Sequence, residues 1–221
     1  MPVRSTPGAP WSGPYETHLT LAPAEADALA AWAAAHGLEF THILLARGRH
    51  PSQPMLSWRA EGTLAAQHHR AAAETARLRG AGFTPVRVKI EAAPWTPGVP
   101  RTDAEAELAD PARYFEHHVK VRTAPGTPRE ALARAARGHD AHVSWNARRT
   151  DPDGHRHYFV TQRCHRVGLT TAGARLNRLT TALGTAGFPP LKAEREYVVH
   201  DSALALDEGW LHDGPPNEEL P

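Results

Sequence analysis

An internal repeat is the feature that most constrains the fold of this chain. Residues 15–21 (YETHLTL) resemble residues 115–121 (FEHHVKV) at an offset of 100 residues. The offset grows farther along the chain, and the growth falls at 148–154, where the second copy has a longer loop. Because loops tolerate insertions, this drift supports the alignment. The sequence therefore predicts two copies of one unit, at 15–93 and 114–200.

Each copy shows the same order of secondary-structure patterns. Strand-like runs alternate apolar and polar residues, and the helical runs end at glycines such as Gly80 and Gly187. The order β-α-β-β-α-β is that of the ferredoxin-like unit, a four-stranded antiparallel sheet with both helices on one face. We therefore predict an α+β protein built by tandem duplication of this βαββαβ unit, with two four-stranded antiparallel sheets and helices on one face of each.

The remaining segments have no periodic pattern. Residues 1–14 are predicted to be an N-terminal extension, and residues 94–113 a proline-rich linker between the repeats. Residues 201–221 are predicted to be an acidic C-terminal tail that packs loosely or frays.

Composition excludes several classes of protein. The chain has 25 Lys and Arg residues against 24 Asp and Glu residues, a formal net charge of +1, so a nucleic-acid partner is not expected. The single cysteine, Cys164, excludes an intrachain disulfide framework and a cysteine-rich zinc module. No signal-peptide pattern and no apolar stretch long enough to span a membrane occurs. We expect a cytoplasmic protein with a small-molecule ligand and no membrane partner.

Polar residues recur on the strand face that should lie opposite the helices. Alternate strand residues face opposite sides of a sheet, so the apolar residues that face the helices leave these polar residues on the other side. The two faces are either solvated or opposed across a pseudo-twofold axis, where they would line a polar cleft. The pairs with the same residue in both copies are Glu16 and Glu116, His18 and His118, His42 and His142, Arg59 and Arg163, and Glu91 and Glu196.

A cleft of this kind can perform acid–base chemistry on a small anion. The predicted catalytic residues are carboxylates and imidazoles: Glu16, His18, Glu91, Glu116, His118 and Glu196. The predicted substrate-binding residues are cations and further imidazoles: Arg59, Arg163, His42, His142, Lys89 and Lys120. For the arginines, ion pairing with the neighbouring glutamates is an equal alternative.

The same residues offer a metal site. His18, Glu91, His118 and Glu196 would supply two imidazoles and two carboxylates to one divalent metal ion. The arrangement is analogous to the paired-module metal sites of glyoxalase-type enzymes, although those modules have a different element order. The alternative is a set of His–Glu hydrogen-bonded pairs without a metal.

Two short motifs permit another function. His18-Leu19-Thr20 and His142-Val143-Ser144 have the pattern His-x-Ser/Thr in strand-like context. They resemble the motifs of the two-histidine phosphoesterases, in which each histidine acts as acid or base and the hydroxyl binds phosphate. The resemblance is confined to these residues, and His18 and His142 are not equivalent in the repeat.

The sequence thus predicts a small soluble enzyme, a hydrolase, lyase or isomerase, that acts on a small polar or anionic metabolite by acid–base or divalent-metal-assisted chemistry. The first alternative is a non-catalytic ligand-binding or protein-interaction module, and the second is a phosphoesterase-like hydrolase. Convergence of the Glu, His and Arg side chains in one cleft would favour the enzyme. Open charged sheets on opposite sides of the molecule would favour the binding module.

Overall fold

The computed structural model describes residues 11–211, which form a mixed α+β structure with an antiparallel sheet and helices. The strands are β1 Ser12–Leu21, β2 Glu39–Leu45, β3 Ser52–Thr63, β4 Pro85–Ala92, β5 Tyr114–Thr123, β6 Ala141–Thr150, β7 Arg156–His165 and β8 Pro190–Asp201. The helices are α1 Ala26–Ala35, α2 Leu64–Gly80, α3 Asp103–Glu107, α4 Arg129–Arg137 and α5 Leu169–Thr185, with short 3-10 turns at Pro23–Glu25 and Leu204–Asp207. None of the helices described here is long and apolar enough to cross a membrane.

The strands form one closed barrel in the order β1-β3-β2-β6-β7-β5-β8-β4. The prediction of two separate four-stranded sheets is therefore corrected. The two groups, β4-β1-β3-β2 and β8-β5-β7-β6, are joined by antiparallel pairing of β2 with β6 and of β4 with β8. An edge strand exposes unpaired backbone N–H and C=O groups, and closing the barrel pairs many of them.

The helices cover the outside of the barrel because every second strand residue there is apolar. Leu19 and Leu56 of the N-terminal half pack against Leu29 of α1 and Leu78 of α2. In the C-terminal half, Val119, Val121 and Val160 pack in the same way against α4 and α5. The intervening strand residues, which carry the charges, consequently point into the barrel.

A third apolar cluster spans the two halves. Tyr15 and Ile90 of the N-terminal half pack with Phe115, Cys164 and Tyr197 of the C-terminal half. The Cys164 thiol lies in this cluster, and burial raises its pKa. The thiol therefore belongs to the core and not to the polar interior.

The segment after β8 closes one end of the barrel, in contrast to the expected loose packing of the tail. Asp207 is only 2% exposed and Trp210 is also buried. The Trp210 indole Nε1 donates a hydrogen bond of 3.1 Å to the carbonyl of Val143. Asp207 accepts a hydrogen bond from Gln53 of β3 at 2.9 Å. Residues 212–221 of the predicted tail lie outside the described residues.

Candidate functional site

The polar strand faces converge on one cavity inside the barrel. Its volume is about 420 Å³. Nine of the residues predicted for the site line it: Glu16, His18, Arg59, Lys89, Glu116, His118, Lys120, Arg163 and Glu196. A concave site with convergent charged groups is typical of small-molecule binding.

His18 is held between a hydroxyl and a carboxylate. The register places Ser57 of β3 and Lys89 of β4 directly beside it. His18 Nδ1 lies 2.6 Å from the Ser57 hydroxyl, and His18 Nε2 lies 2.8 Å from a Glu91 carboxylate oxygen. The other Glu91 oxygen lies 2.8 Å from the Lys89 ammonium. Burial alone would raise the pKa of Glu91, but Lys89 and His18 hold it at about 2. Glu91 is therefore a fixed negative charge behind His18.

His118 has similar contacts in the C-terminal half. Its Nδ1 lies 3.0 Å from the Thr161 hydroxyl, and its Nε2 lies 3.1 Å from Glu116 and 3.5 Å from Glu196. Burial alone would lower the pKa of His118, but the hydrogen bond and charge of Glu116, with Glu196, raise it to about 9. At neutral pH His118 is consequently an imidazolium that donates to Glu116 through Nε2 and to Thr161 through Nδ1.

Glu116 is the centre of a buried charge network. One of its oxygens accepts a 2.6 Å hydrogen bond from Lys89 Nζ, and the other accepts one from Arg163 Nε. Burial would raise the pKa of Glu116, but Arg163 and Lys89 hold it well below its usual range. Arg163 also donates to Asp207 at 2.7 Å, and Asp207 lies 3.0 Å from Arg87. Glu116, the carboxylate that contacts His118, is thus held in position by Arg163, which is bound in turn by Asp207 at the closed end of the barrel.

Glu196 differs from the other buried carboxylates. Burial and the negative charge of Glu91 raise the pKa of Glu196 to about 8. Its carboxyl lies next to the His118 imidazolium and lines the cavity. A carboxyl with a pKa this close to neutral can gain or lose a proton during a reaction.

The predicted four-residue metal set is brought together only in part. Ligand atoms of Glu91, His118 and Glu196 all lie within 4.8 Å of one another, so three of the four residues could surround a cation. His18 is outside that group, because its Nε2 is hydrogen-bonded to Glu91. The Lys89 ammonium already forms ion pairs with both Glu91 and Glu116. His18 and His118 each lie within hydrogen-bond distance of a glutamate, and the metal site stays a prediction.

The cavity also has a mouth, formed by exposed charged side chains. Arg59 is 70% exposed and donates to Glu16 at 2.7 Å, and Lys192 lies 2.5 Å from Glu194. Two further cations of the lining, Lys120 and Arg149, have no carboxylate partner within 4.0 Å among residues 11–211. Burial and the neighbouring Arg149 lower the pKa of Lys120. An excess of positive charge at this position favours an anionic ligand.

Three of the predicted site residues, His42, His142 and Glu91, do not line the cavity. His42 points away from the cavity, where its Nε2 contacts the Ser52 hydroxyl at 2.9 Å, because Phe40 of the same strand face packs toward the helices. Ser57 lies opposite Glu39, whereas the matching Thr161 lies opposite His142, so the proposed equivalence of His42 and His142 is wrong.

His142 and Glu91 lie behind the cavity wall. The His142 ring is 6.0 Å from that of Trp210, and the Trp210 ring lines the cavity whereas His142 does not. Glu91 lies behind His18 and Lys89, which do line it. Neither residue lines the cavity, and each contacts side chains that do.

Sequence reasoning missed Arg149 and Asp207. Residues 148–154 read as a loop, but β6 continues to Thr150 and carries Arg149 to the mouth. Strict alternation along β6 would place Arg149 on the outer side with Val143, and the irregular register between Trp145 and Thr150 brings it to the mouth instead. Nothing local to Asp207 indicated that it would meet Arg87 and Arg163, which lie far away in the chain.

Comparisons with known proteins do not assign the chain to a family. No protein-family model matches it, and no curated protein matches it. Among solved structures, a chlorite dismutase from Candidatus Nitrospira defluvii in complex with imidazole is 13% identical, over 86% of this chain and 92% of that chain, with a TM-score of 0.27. A mutant of the same protein is 14% identical, over 89% and 93%, also with a TM-score of 0.27. A likeness at this level carries no argument about fold or function.

Proposed function

We propose that this chain is an enzyme that transfers a proton to or from a carbon atom of a small anionic metabolite bound inside the barrel. The observation that carries the proposal is the cluster in the cavity wall in which His118 Nε2 lies 3.1 Å from Glu116 and 3.5 Å from Glu196. Titratable groups held this close to one another in a cavity support an acid–base role.

The residues take distinct roles in this proposal. Glu196, in its ionised form, accepts a proton from the substrate carbon. The His118 imidazolium, held in place by Glu116 and Thr161, supplies a positive charge that stabilises the substrate oxygen on which negative charge develops. Such a reaction belongs to a lyase or an isomerase.

The cations of the mouth define the substrate. Lys120 and Arg149 line the cavity without carboxylate partners in the part of the chain that the structure describes, so they are suited to hold a carboxylate or phosphate. A cavity of about 420 Å³ limits the enclosed part of the ligand to a small molecule.

Deuterium exchange tests the proposal without knowledge of the natural substrate. The untagged protein is incubated in D₂O with a panel of small carboxylic and keto acids, and deuterium incorporation at carbon is followed by NMR and mass spectrometry. We expect exchange into at least one acid and its loss in Glu196→Gln. The matched control is Glu39→Gln, which alters another cavity-lining carboxylate far from His118 in the barrel register and should retain exchange. Exchange that survives Glu196→Gln would contradict the assigned role.

Metal analysis of the same untagged protein separates this proposal from metal-assisted chemistry. We expect no stoichiometric divalent ion. An ion bound in a 1:1 ratio, and lost in His118→Ala, would replace the proton-transfer roles by metal-assisted chemistry at the same cluster.

We also infer that the two halves arose by tandem duplication of a ferredoxin-like unit. The strand orders β4-β1-β3-β2 and β8-β5-β7-β6 correspond position by position, which supports this inference. The registers support it as well, because His18 pairs with Ser57 as His118 pairs with Thr161.

A further inference from the structure

A groove of about 580 Å³ opens in the barrel wall beside the cavity. β4 pairs with β8 only as far as Ala92, which lies opposite Tyr197. Residues 193–196 of β8 pair with β5 and, among the described residues, with no strand on their other side. The groove lies at this gap between the two strands.

The groove leads directly to the proton-transfer cluster. Four residues line both spaces: Glu16, Arg59, Glu194 and Glu196. A molecule that occupies the groove can therefore reach Glu196 from the outside of the barrel.

The lining of the groove suits a flat apolar group. Apart from Tyr15 and Trp95, its apolar residues are small or rigid and leave space: Pro14, Ala60, Ala92, Ala93, Pro94 and Ala193. The rest of the lining is charged and consists of glutamates and arginines: Glu16, Glu61, Glu91, Glu194, Glu196, Arg59 and Arg195. The acid group of a ligand must therefore pass into the cavity rather than stay in the groove. Trp95 lies at the rim and is 68% exposed. An indole of this kind offers a large rigid surface for stacking.

Trp95 is unlike the other tryptophans. The other five each contact an aromatic or imidazole ring or a guanidinium group; Trp11, for example, stacks on Tyr197, and Trp58 lies under Arg70. Trp95 has no such contact within residues 11–211. Because this ring lies on the groove that opens beside the cavity, it offers a stacking surface to a ligand that enters there.

We propose that the groove binds a planar apolar group of the substrate, stacked on Trp95, while the anionic end of the same molecule reaches the cavity. The substrate is thereby assigned to the class of aryl-substituted small organic acids. The orientation of the acid rests on the proposed function, whereas the stacking site stands on the groove itself.

Binding of 2-naphthoate and acetate, measured by calorimetry, tests the proposal. We expect 2-naphthoate to bind more tightly than acetate, and Trp95→Ala to weaken 2-naphthoate about tenfold without changing acetate. Trp95→Phe, which keeps a ring, should retain most of the affinity. The matched control Leu108→Ala removes another exposed apolar side chain, 91% exposed and outside the groove, and should change neither ligand. Equal 2-naphthoate affinity in wild type and Trp95→Ala would overturn the proposal.

Two further results keep the groove and the proposed function separate. Normal Trp95-dependent binding without any deuterium exchange would contradict the proposed function and leave the groove intact. Glu196-dependent exchange into aryl acids that Trp95→Ala does not affect would contradict the groove alone. Sedimentation gives the remaining outcome: a dimer of the wild type that Trp95→Ala dissociates would assign this surface to a second copy of the chain and overturn the proposal.

Discussion

The two histidine sites of the barrel contain the same residue types but differ in where the protons lie. Each imidazole contacts a hydroxyl through Nδ1 and a carboxylate through Nε2. Beside His18, Glu91 is fully buried, has Lys89 as its cation and carries a fixed negative charge. Beside His118, Glu196 is 17% exposed, and burial together with the charge of Glu91 raises its pKa to about 8.

The difference teaches that neighbouring charges, and not residue identity, decide which buried carboxyl has a raised pKa. Lys89 comes from the N-terminal half but bonds to both Glu91 and Glu116. Lys89 and His18 hold Glu91 ionised, and burial of Glu196 together with the negative charge of Glu91 raises the pKa of Glu196. The two sites are thus one electrostatic unit, in which the pKa of each carboxyl depends on the charges of both halves.

The largest effect on stability is expected at Glu116, and Glu16 is its matched position in the other half. Glu116 lies opposite Arg163 in the β5–β7 pair, as Glu16 lies opposite Arg59 in the β1–β3 pair. Glu116→Gln removes the counter-charge of buried cations and should lower the free energy of unfolding by about 3–5 kcal/mol. Glu16→Gln breaks an exposed pair with Arg59 and should cost about 1 kcal/mol or less. Urea denaturation measures both. Equal costs would show that the two halves are not electrostatically different.

Asp207→Asn should have a smaller effect on stability. Arg87 retains Asp201 and Arg163 retains Glu116 when the Asp207 charge is removed, so we expect a loss of about 1–3 kcal/mol in urea denaturation. A variant as stable as the wild type would mean that the segment after β8 does not hold the charge network in place.

The free energy of unfolding should depend on pH through His118 and Glu196. The pKa of an imidazole is about 6.5 when unfolded, whereas that of His118 is about 9 in the fold. The folded chain therefore binds more protons between these values, so the stability from His118 is complete below about 6.5 and is lost as the pH rises through about 9. Glu196 contributes in the same direction, because its pKa rises from 4.5 to about 8 on folding.

Urea midpoints at pH 6.5 and pH 9 measure this loss of stability. His118→Gln should flatten the pH dependence over this interval, and Glu196→Gln should flatten it mainly below pH 8. An unaltered slope in His118→Gln would contradict the assigned charge state. NMR titration of the His118 ring should give a midpoint near 9 directly.

The smallest effect is expected at the mouth. Lys120 is crowded by Arg149 and Lys192, and Lys120→Ala removes this repulsion, so the free energy of unfolding should change by no more than about 0.5 kcal/mol. Acetate binding should weaken in the same variant, because its proposed partner is lost. A large loss of stability with unchanged acetate binding would make Lys120 a structural residue.

Much of the site could be predicted because strand alternation is a local property. The spacing of Glu16, His18 and their partners 100 residues later placed these side chains on one face, and nine predicted residues line the cavity. The prediction for His42 was wrong because the residue of β2 that matches His142 is Glu39, three residues earlier. Since side chains alternate along a strand, an error of three residues moves a side chain to the opposite face of the sheet. Arg149 was missed because the end of β6 was taken for a loop, and because an irregular register between Trp145 and Thr150 changes the face on which this residue lies.

The sequence alone determined the order of the elements and which strand residues turn away from the helices, since both follow from hydrophobic periodicity over a few residues. Only the tertiary structure decided that the strands close into one barrel, that Asp207 reaches Arg163, and that the pKa of Glu196 is raised whereas that of Glu91 is lowered. A pKa depends on burial and on charges brought from distant parts of the chain, and these are fixed only when the chain has folded.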